Sequence, residues 1–284
     1  MSLWAQSMAP NIVHIASLLF IERWPTPLED QKNPPWSTSL RATYRLWGNP
    51  RLLSEASTST IKNVEDGDSL AVFLLLRLTK LTQYYLFHTY VIPCFFAETI
   101  VEIYPEDVDQ TALLTRLSDV TAREVVVRSW FAIYWIWESV AFLDGANAAL
   151  ASFAVLAGLD READWPPLFG QPVAACGLLN FWSQFWHQLP SRPYKCFARA
   201  VIGSAGSNVP TPISRALLAF VVFLLSGLSH MTVSWQLGMR DTLDLQWFLL
   251  NFVGCMVERV TLSTVRHLAK RAGCTRELKM IEQS

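Results

Sequence analysis

SRALLAFVVFLLSGLSHMTVSWQ, residues 214–236, is an apolar run long enough to cross a membrane, and it contains a histidine. A helix rises about 1.5 Å per residue, so a run of this length spans a hydrocarbon layer of about 30 Å. Because an ionisable side chain is costly there, we expect His230 to face the bundle interior or a watered cavity. Ser226 and Ser234 lie four residues to either side and share its helix face.

Small residues beside this histidine predict a close helix contact. Gly227 and Ser229 allow a neighbouring helix to approach this level of the segment. A structural histidine, whose ring is satisfied by a backbone carbonyl, fits the same pattern. The segment alone therefore leaves the role of His230 divided between packing and chemistry.

A second polar stripe is predicted in the tryptophan-rich stretch NFWSQFWHQ, residues 180–188. As a helix, this stretch places four polar residues on one face: Asn180, Ser183, Gln184 and His187. Trp182 and Trp186 then stack on another face. Aromatic rings suit the membrane interface, so a tryptophan-rich interfacial anchor is the structural alternative.

Together the two stretches resemble the wax-synthase-like branch of the membrane-bound O-acyltransferases. FWSQFWHQ is preceded by WPPLFGQP, residues 165–172, and followed by the helix that carries SGLSH, residues 226–230. In fungi this branch includes acetyltransferases of terpenoid and meroterpenoid pathways. The motif core covers about residues 160–240, within a chain that we interpret as one membrane-embedded domain, residues 1–284. The N-terminal half is shorter and less hydrophobic than the resemblance implies.

The resemblance implies an acyl transfer reaction with named roles. A neutral histidine near its ordinary pKa of about 6.5 suits the removal of a hydroxyl proton, so His230 is the expected general base. His187 and Gln188 are expected to orient the acyl donor or to stabilise the oxyanion. Some branches of the superfamily have Asn or Asp where this chain has His187. The expected substrate-binding residues are Trp186, Gln188, Asn180, Ser226 and Ser234.

The resemblance also implies the reactants and their location. An acyl-CoA, most simply acetyl-CoA, is expected to enter from the cytosolic side, and a hydroxylated terpenoid, meroterpenoid or related metabolite to accept the acyl group. Neither a resident cofactor nor a metal is expected. The chain is expected to be a multi-pass protein of the endoplasmic reticulum, and its oligomeric state is left unspecified.

Composition supports an integral membrane protein. Hydrophobic residues make up 51% of the 284 residues and charged residues only 17%, against about 25% in soluble domains. The net charge of −1 argues against nucleic acid as a partner. Five cysteines, none spaced as CxxC, indicate neither a disulfide framework nor a zinc site.

Hydropathy predicts an all-α bundle of five to seven hydrophobic helices around a polar cavity. The apolar runs cover residues 70–97, 129–158, 214–236 and 245–260. The acidic stretch 98–128 is interpreted as a solvated face. Glu138 and Asp144 fall within a predicted span and are candidate functional carboxylates. Asp144 precedes a glycine and is predicted to mark a helix break, whereas His88 is predicted to be packed or hydrogen-bonded.

A basic patch follows the tryptophan-rich stretch. Arg192, Lys195 and Arg199 recur at three and four residues, so a helix presents them on one face. Such a patch binds lipid headgroups or the phosphates of coenzyme A. If it binds coenzyme A, its neutralisation should raise the Michaelis constant for acyl-CoA more than it lowers turnover. The positive-inside rule places residues 160–213 and the C-terminus in the cytoplasm.

Three other functions fit parts of the pattern. A wax synthase would esterify a long-chain alcohol. An integral-membrane terpene cyclase would use a carboxylate such as Glu138 to protonate an alkene or epoxide, and it would need no acyl-CoA. A transporter or structural membrane protein would line a path with polar residues. The Trp186-His187-Gln188 and 226–230 motifs favour an acyltransferase over the cyclase and over the transporter or structural protein, and they leave the wax synthase open.

Overall fold

A computed structural model describes residues 11–22, 40, 43, 44, 46, 48, 66–96, 100, 117–204 and 211–271. Within those ranges there is no β-strand, which confirms the predicted all-α class. Four helices in them are long and apolar enough to cross a membrane, and a shorter apolar helix accompanies them. The part of the chain that is described thus contains five hydrophobic helices, the lower limit of the predicted five to seven.

The helices are labelled in chain order. They are α1 (Asn11–Ile21), α2 (Asp66–Leu86), α3 (Ala122–Leu156), α4 (Leu178–Asn180), α5 (Ser191–Ser204), α6 (Thr211–Gln236) and α7 (Leu243–Arg271). A π-helical turn, Phe87–Val91, and a short helix, Ile92–Phe95, extend α2. The chain groups into two compact units: residues Glu55–Leu168 form one, and Met1–Ser54 with Phe169–Ser284 form the other. The single membrane-embedded domain stays a prediction.

In the unit Glu55–Leu168, α2 and α3 share a polar network inside apolar segments. Lys80 Nζ and Tyr84 Oη donate to the same carboxylate oxygen of Asp144, at 2.8 and 2.7 Å. The Asp144 side chain is only 7% exposed, so these donors offset the cost of its burial. The helix break predicted at Asp144 is wrong, because α3 runs through this paired residue without interruption.

The second carboxylate within α3 also has a partner. Glu138 Oε1 lies 3.0 Å from His88 Nδ1, and both side chains are partly exposed. The prediction of a polar partner for His88 is confirmed.

Helix α3 begins earlier than predicted, at Ala122 rather than near residue 129. Thr121 caps the helix by accepting the Glu124 N–H at 3.2 Å. Glu124 is buried, not solvated, and it accepts from Arg128 Nε at 2.8 Å, one turn later. Because the two charges neutralise each other, the first turns of α3 can be charged and still continue into its apolar part.

In the other unit, α6 and α7 form an antiparallel hairpin whose turn includes Gly238 at φ +90°. Their contact is close at Gly227, where an added Cβ would lie 3.1 Å from both the Leu245 Cα and the Phe248 Cβ. This confirms the predicted close approach of a helix. Ser229 serves a different neighbour, since its Oγ lies 2.6 Å from the Tyr194 Oη on α5.

Candidate functional site

The tryptophan-rich stretch is a short helix with an extended end. Helix α4 continues as a π-helical turn over Phe181–Phe185, closed by a hydrogen bond from the Trp186 N–H to the Phe181 carbonyl at 2.8 Å. Trp186 itself is extended, at φ −65° and ψ 147°. The helix predicted over residues 180–188 is therefore wrong at its end, and His187 does not share a face with Asn180.

Gln188 explains why the helix stops there. Its Nε2 donates to the carbonyls of Trp182 and Trp186, at 3.0 and 2.9 Å, and thereby satisfies groups that the helix leaves open. Its Oε1 accepts from Ser191 Oγ at 2.6 Å. Sequence analysis expected Gln188 to contact the donor, but here its amide shapes the backbone around His187.

Gly170, from the WPPLFGQP motif, holds this end in place. Its N–H donates to the Phe185 carbonyl at 2.8 Å. A Cβ at this position would stand 2.0 Å from the Gln184 carbonyl oxygen, so no other residue fits without moving the backbone. Phe169 and Gly170 of the motif are thus part of one local structure with the tryptophan-rich stretch.

Trp182 anchors the stretch on the α6–α7 hairpin. Its ring lies 5.5 Å from the Phe223 ring, 5.7 Å from the Trp247 ring and 6.0 Å from the Phe248 ring. Its indole N–H donates to Asn251 Oδ1 at 3.2 Å. The predicted Trp182–Trp186 contact is present, with the rings edge-on at 5.7 Å.

His230 shares this aromatic cluster through Phe248. The two ring centroids are 4.9 Å apart at an interplanar angle of 35°. We expected an enclosed His230, but among the described residues it is exposed. Within the same residues, neither ring nitrogen has a hydrogen-bond partner.

The two serines on the His230 face have partners of their own. Ser226 Oγ donates to the Val222 carbonyl at 2.9 Å. Ser234 Oγ donates to the Asp244 carboxylate at the start of α7. Asp244 also lies close enough to act electrostatically on His230. The site thus includes a carboxylate from the first turn of α7.

His187 is the second histidine of the site. Its ring packs against Phe169 at 5.6 Å and against Trp186 at 5.3 Å. Its Nδ1 is buried, with no hydrogen-bond partner among the residues that the structure describes. Burial, and to a lesser extent the charge of His230, lower the pKa of His187 from 6.5 to about 4. The fold therefore brings the two histidines into electrostatic range of each other.

The pKa of His187 predicts a pH-dependent stability. The unfolded chain, with an ordinary histidine pKa of 6.5, binds more protons than the folded chain between about pH 4 and pH 6.5. Stability conferred by the neutral ring is present above that window and is lost as the pH falls. Between about pH 7.5 and pH 5 we expect a loss of about 2 kcal/mol from this residue. Thermal unfolding of the wild type and of His187→Gln at both pH values measures it. An equal loss in both proteins would contradict the prediction.

A cavity of about 810 Å³ opens on the other side of the tryptophan-rich stretch. Its lining includes Asn180, Gln184, Glu258, Arg259, Arg266 and Lys270. Asn180 therefore does reach a possible binding space, although that space differs from the one around the histidines. The predicted basic patch of α5 does not line it: Arg192 and Lys195 are half-buried and Arg199 is exposed on α5.

Glu258 is a functional candidate that sequence analysis missed. Its Oε2 accepts the Leu179 N–H at 2.9 Å. Gly177, at φ +95°, leaves the room that this carboxylate fills, since a Cβ there would lie 2.2 Å from Glu258 Oε1. An acidic residue within an apolar run was the signal that could have identified it.

Comparison with known proteins points to one family. Residues 165–250 match the model described as the membrane bound O-acyl transferase family. The acetyltransferase spyB of Aspergillus fumigatus is 32% identical over 133 residues, which cover 45% of this chain and 22% of the relative. The acetyltransferase atnC of an Arthrinium species is 29% identical over 202 residues, 68% of this chain and 45% of the relative.

A third relative, the acetyltransferase aurG of Calcarisporium arbuscula, is 28% identical over 168 residues, 56% of this chain and 40% of the relative. The chain thus spans less than half the length of each of these three relatives. No solved structure matches. The matched residues 165–250 include the aromatic cluster and both histidines.

Proposed function

We propose that the chain transfers an acetyl group from acetyl-CoA to a hydroxyl group of a small metabolite, and the match of residues 165–250 to the membrane bound O-acyl transferase family supports this proposal. The names of the three relatives, all acetyltransferases, support acetyl as the acyl group. The acceptor class that we propose is a terpenoid, a meroterpenoid or a related secondary metabolite. No resident cofactor or metal enters the proposal.

One observation carries this proposal: two histidines from separate segments meet at one aromatic cluster. His230 comes from α6 and His187 from the end of the tryptophan-rich stretch, and the charge of the first acts on the second. His187 is neutral at physiological pH because its pKa is about 4. His230 has the Asp244 carboxylate nearby and no hydrogen-bond partner among the described residues. One base and one neutral hydrogen-bonding group are what acyl transfer to an alcohol uses.

The proposed reaction proceeds by addition and elimination at the thioester carbonyl. His230 removes the hydroxyl proton as the alcohol oxygen forms a bond to the carbonyl carbon. The developing oxyanion accepts a hydrogen bond from the neutral ring of His187. The carbon–sulfur bond then breaks, the sulfur takes the proton from His230, and free coenzyme A and the acetate ester leave. Asp244 stabilises the imidazolium that exists between the two proton transfers.

Four apolar helices bear on the location of the chain. Those helices indicate an integral membrane protein. We propose the endoplasmic reticulum, with the basic end of α7 in the cytoplasm. Arg266, Lys270 and Arg271 lie at that end, in agreement with the positive-inside rule.

Microsomes from a host that expresses the chain test the proposal. They would receive labelled acetyl-CoA or a labelled long-chain acyl-CoA, together with a panel of terpenoid and fatty alcohols. Microsomes without the chain are the control. Acetate esters of a terpenoid alcohol, formed only with the chain, are the expected result. Esters from long-chain partners alone would make the chain a wax synthase, and a product formed without any acyl-CoA would contradict acyl transfer.

A further inference from the structure

The cavity beside the tryptophan-rich stretch has a cationic wall. Arg259, Arg266 and Lys270 follow one another at seven and four residues along α7, so the helix presents them on one face. Glu258 is the carboxylate that faces them, and it already accepts the Leu179 N–H. Three bases against one acid leave a surplus of two positive charges, which suits a ligand with several phosphate charges.

Two neutral amide side chains also line the cavity. Asn180 and Gln184 line the cavity, and Gln184 Nε2 donates to Asn180 Oδ1 at 3.0 Å. Side-chain amides both donate and accept, so they can pair with a purine edge or with an amide of the ligand. The cavity, at about 810 Å³, is within the range of cofactor and ligand pockets.

The distance between this cavity and the histidines follows from the number of residues that separate them along α7. Phe248 contacts the His230 ring, and Arg259 lies eleven residues further along the same helix. Eleven residues correspond to an axial rise of about 16 Å. The pantetheine arm of coenzyme A has two amide linkages and a length comparable to four or five extended residues, about 15 Å. A donor whose diphosphate is held at Arg259 would therefore bring its thioester to the histidines, while Arg266 and Lys270, about 10 and 16 Å further along the axis, would face the rest of the nucleotide end.

The tryptophan-rich stretch runs alongside α7 over the same interval. Leu179 contacts α7 at Glu258, Trp182 contacts it at Asn251 and Phe248, and His187 follows within electrostatic range of His230. One continuous segment thus connects the cavity to the proposed reaction centre. An extended ligand along this segment would contact both.

We propose that this cavity binds the phosphorylated nucleotide end of the acyl donor, with Arg259, Arg266 and Lys270 as the phosphate-binding residues. The assignment rests on the proposed acyl transfer for the identity of the ligand. It replaces the α5 patch, which lines no part of this cavity, as the phosphate site. The phosphate of an anionic lipid headgroup shares the same chemistry and is separated in the test.

Direct binding of coenzyme A to the purified full chain tests the assignment, in nanodiscs of phosphatidylcholine. The cavity variant is Arg259→Gln with Arg266→Gln and Lys270→Gln. The matched control is Arg215→Gln with Arg240→Gln and Arg271→Gln, which removes the same charge from exposed positions outside the cavity. We expect the Kd for coenzyme A to rise about tenfold in the cavity variant, or about 1.4 kcal/mol. The control should stay within about twofold, since Arg215, Arg240 and Arg271 do not line the cavity.

A second variant tests the assignment if the first variant does not fold. Ser263 lines the cavity, and Ser263→Trp fills space there without a change of charge. Helix content by circular dichroism identifies which variants fold. Weaker coenzyme A binding by folded Ser263→Trp supports the assignment, and unchanged binding contradicts it.

Two further comparisons decide between phosphate sources and sites. Nanodiscs that contain phosphatidylinositol report on the lipid. If the cavity variant loses lipid binding and keeps its affinity for coenzyme A, the cavity is a headgroup site and the assignment is wrong. It is also wrong if Arg192→Gln with Lys195→Gln and Arg199→Gln weakens coenzyme A binding while the cavity variant does not.

This binding measurement is independent of the acyl transfer assay. Cavity-dependent binding of coenzyme A without any ester formation would contradict the proposed function and support the assignment. Ester formation with an unchanged Michaelis constant for acetyl-CoA in the cavity variant would support the function and contradict the assignment.

Discussion

Replacement of His230 by alanine is expected to lower the rate of ester formation by about 10²- to 10⁴-fold, the usual contribution of a general base. The ring lies against Phe248, and no described residue forms a hydrogen bond with its nitrogens. Its loss leaves no other group on α6 at that position to accept the hydroxyl proton. Initial rates with saturating acetyl-CoA and an accepted alcohol measure the effect.

Thr232→Ala is the matched control for this substitution. Thr232 lies two residues further along α6, is exposed, and donates only to the Leu228 carbonyl at 2.8 Å. Its replacement should change the rate less than about twofold, since exposed substitutions rarely exceed about 0.5 kcal/mol. The His230→Ala protein should also bind coenzyme A as the wild type does. Full activity in His230→Ala would remove this residue from the mechanism and leave the reaction class untouched.

Gly170→Ala is expected to destabilise the protein by about 3 kcal/mol, at the upper end for an overpacked site. The added methyl group meets a backbone carbonyl, that of Gln184, and a backbone group yields less easily than a flexible side chain. The stretch that ends in Phe185, Trp186 and His187 must then shift. Because misplacement of a catalytic group by about 1 Å can cost about 10²-fold in rate, ester formation should fall with stability.

Gly203→Ala provides the comparison for Gly170→Ala. Gly203 lies in α5, and a Cβ there would meet no atom within 4 Å. Since alanine is the better helix former by about 1 kcal/mol, this change should be neutral or stabilising. Thermal unfolding of both variants in the same detergent measures the difference. A Gly170→Ala protein as stable as Gly203→Ala would show that the 165–172 motif does not hold the tryptophan-rich stretch.

The apolar helices could be predicted because their cause is local. Hydrophobic runs of helical length identify α2, α3, α6 and α7, and they are indeed helical. Gly227 indicated a close helix contact because small residues allow one in any membrane bundle. Hydropathy placed the start of α3 too late because the first turns contain charged residues. Glu124 and Arg128 neutralise each other there, so the helix begins before the apolar run.

The candidate site was predicted in part. Motif resemblance singled out His187 and His230, and the fold places them in electrostatic range. A regular helix was the wrong geometry for residues 180–188, because Gln188 folds back onto two carbonyls and ends the helix. The spacing of polar and apolar residues does not predict a hydrogen bond between a side chain and the backbone of this kind.

The amino-acid sequence was sufficient for the all-α class, the apolar spans and the two histidines. These features follow from side-chain hydrophobicity and from short motifs, which act over a few neighbouring residues. The pairing of Glu258 with Leu179 joins positions that are far apart in the chain. The partnership of Asp244 with Ser234 and the cavity beside α7 likewise arise when helices pack. They follow from the packing of the folded chain because proximity in space, and not spacing in sequence, sets which charges and donors meet.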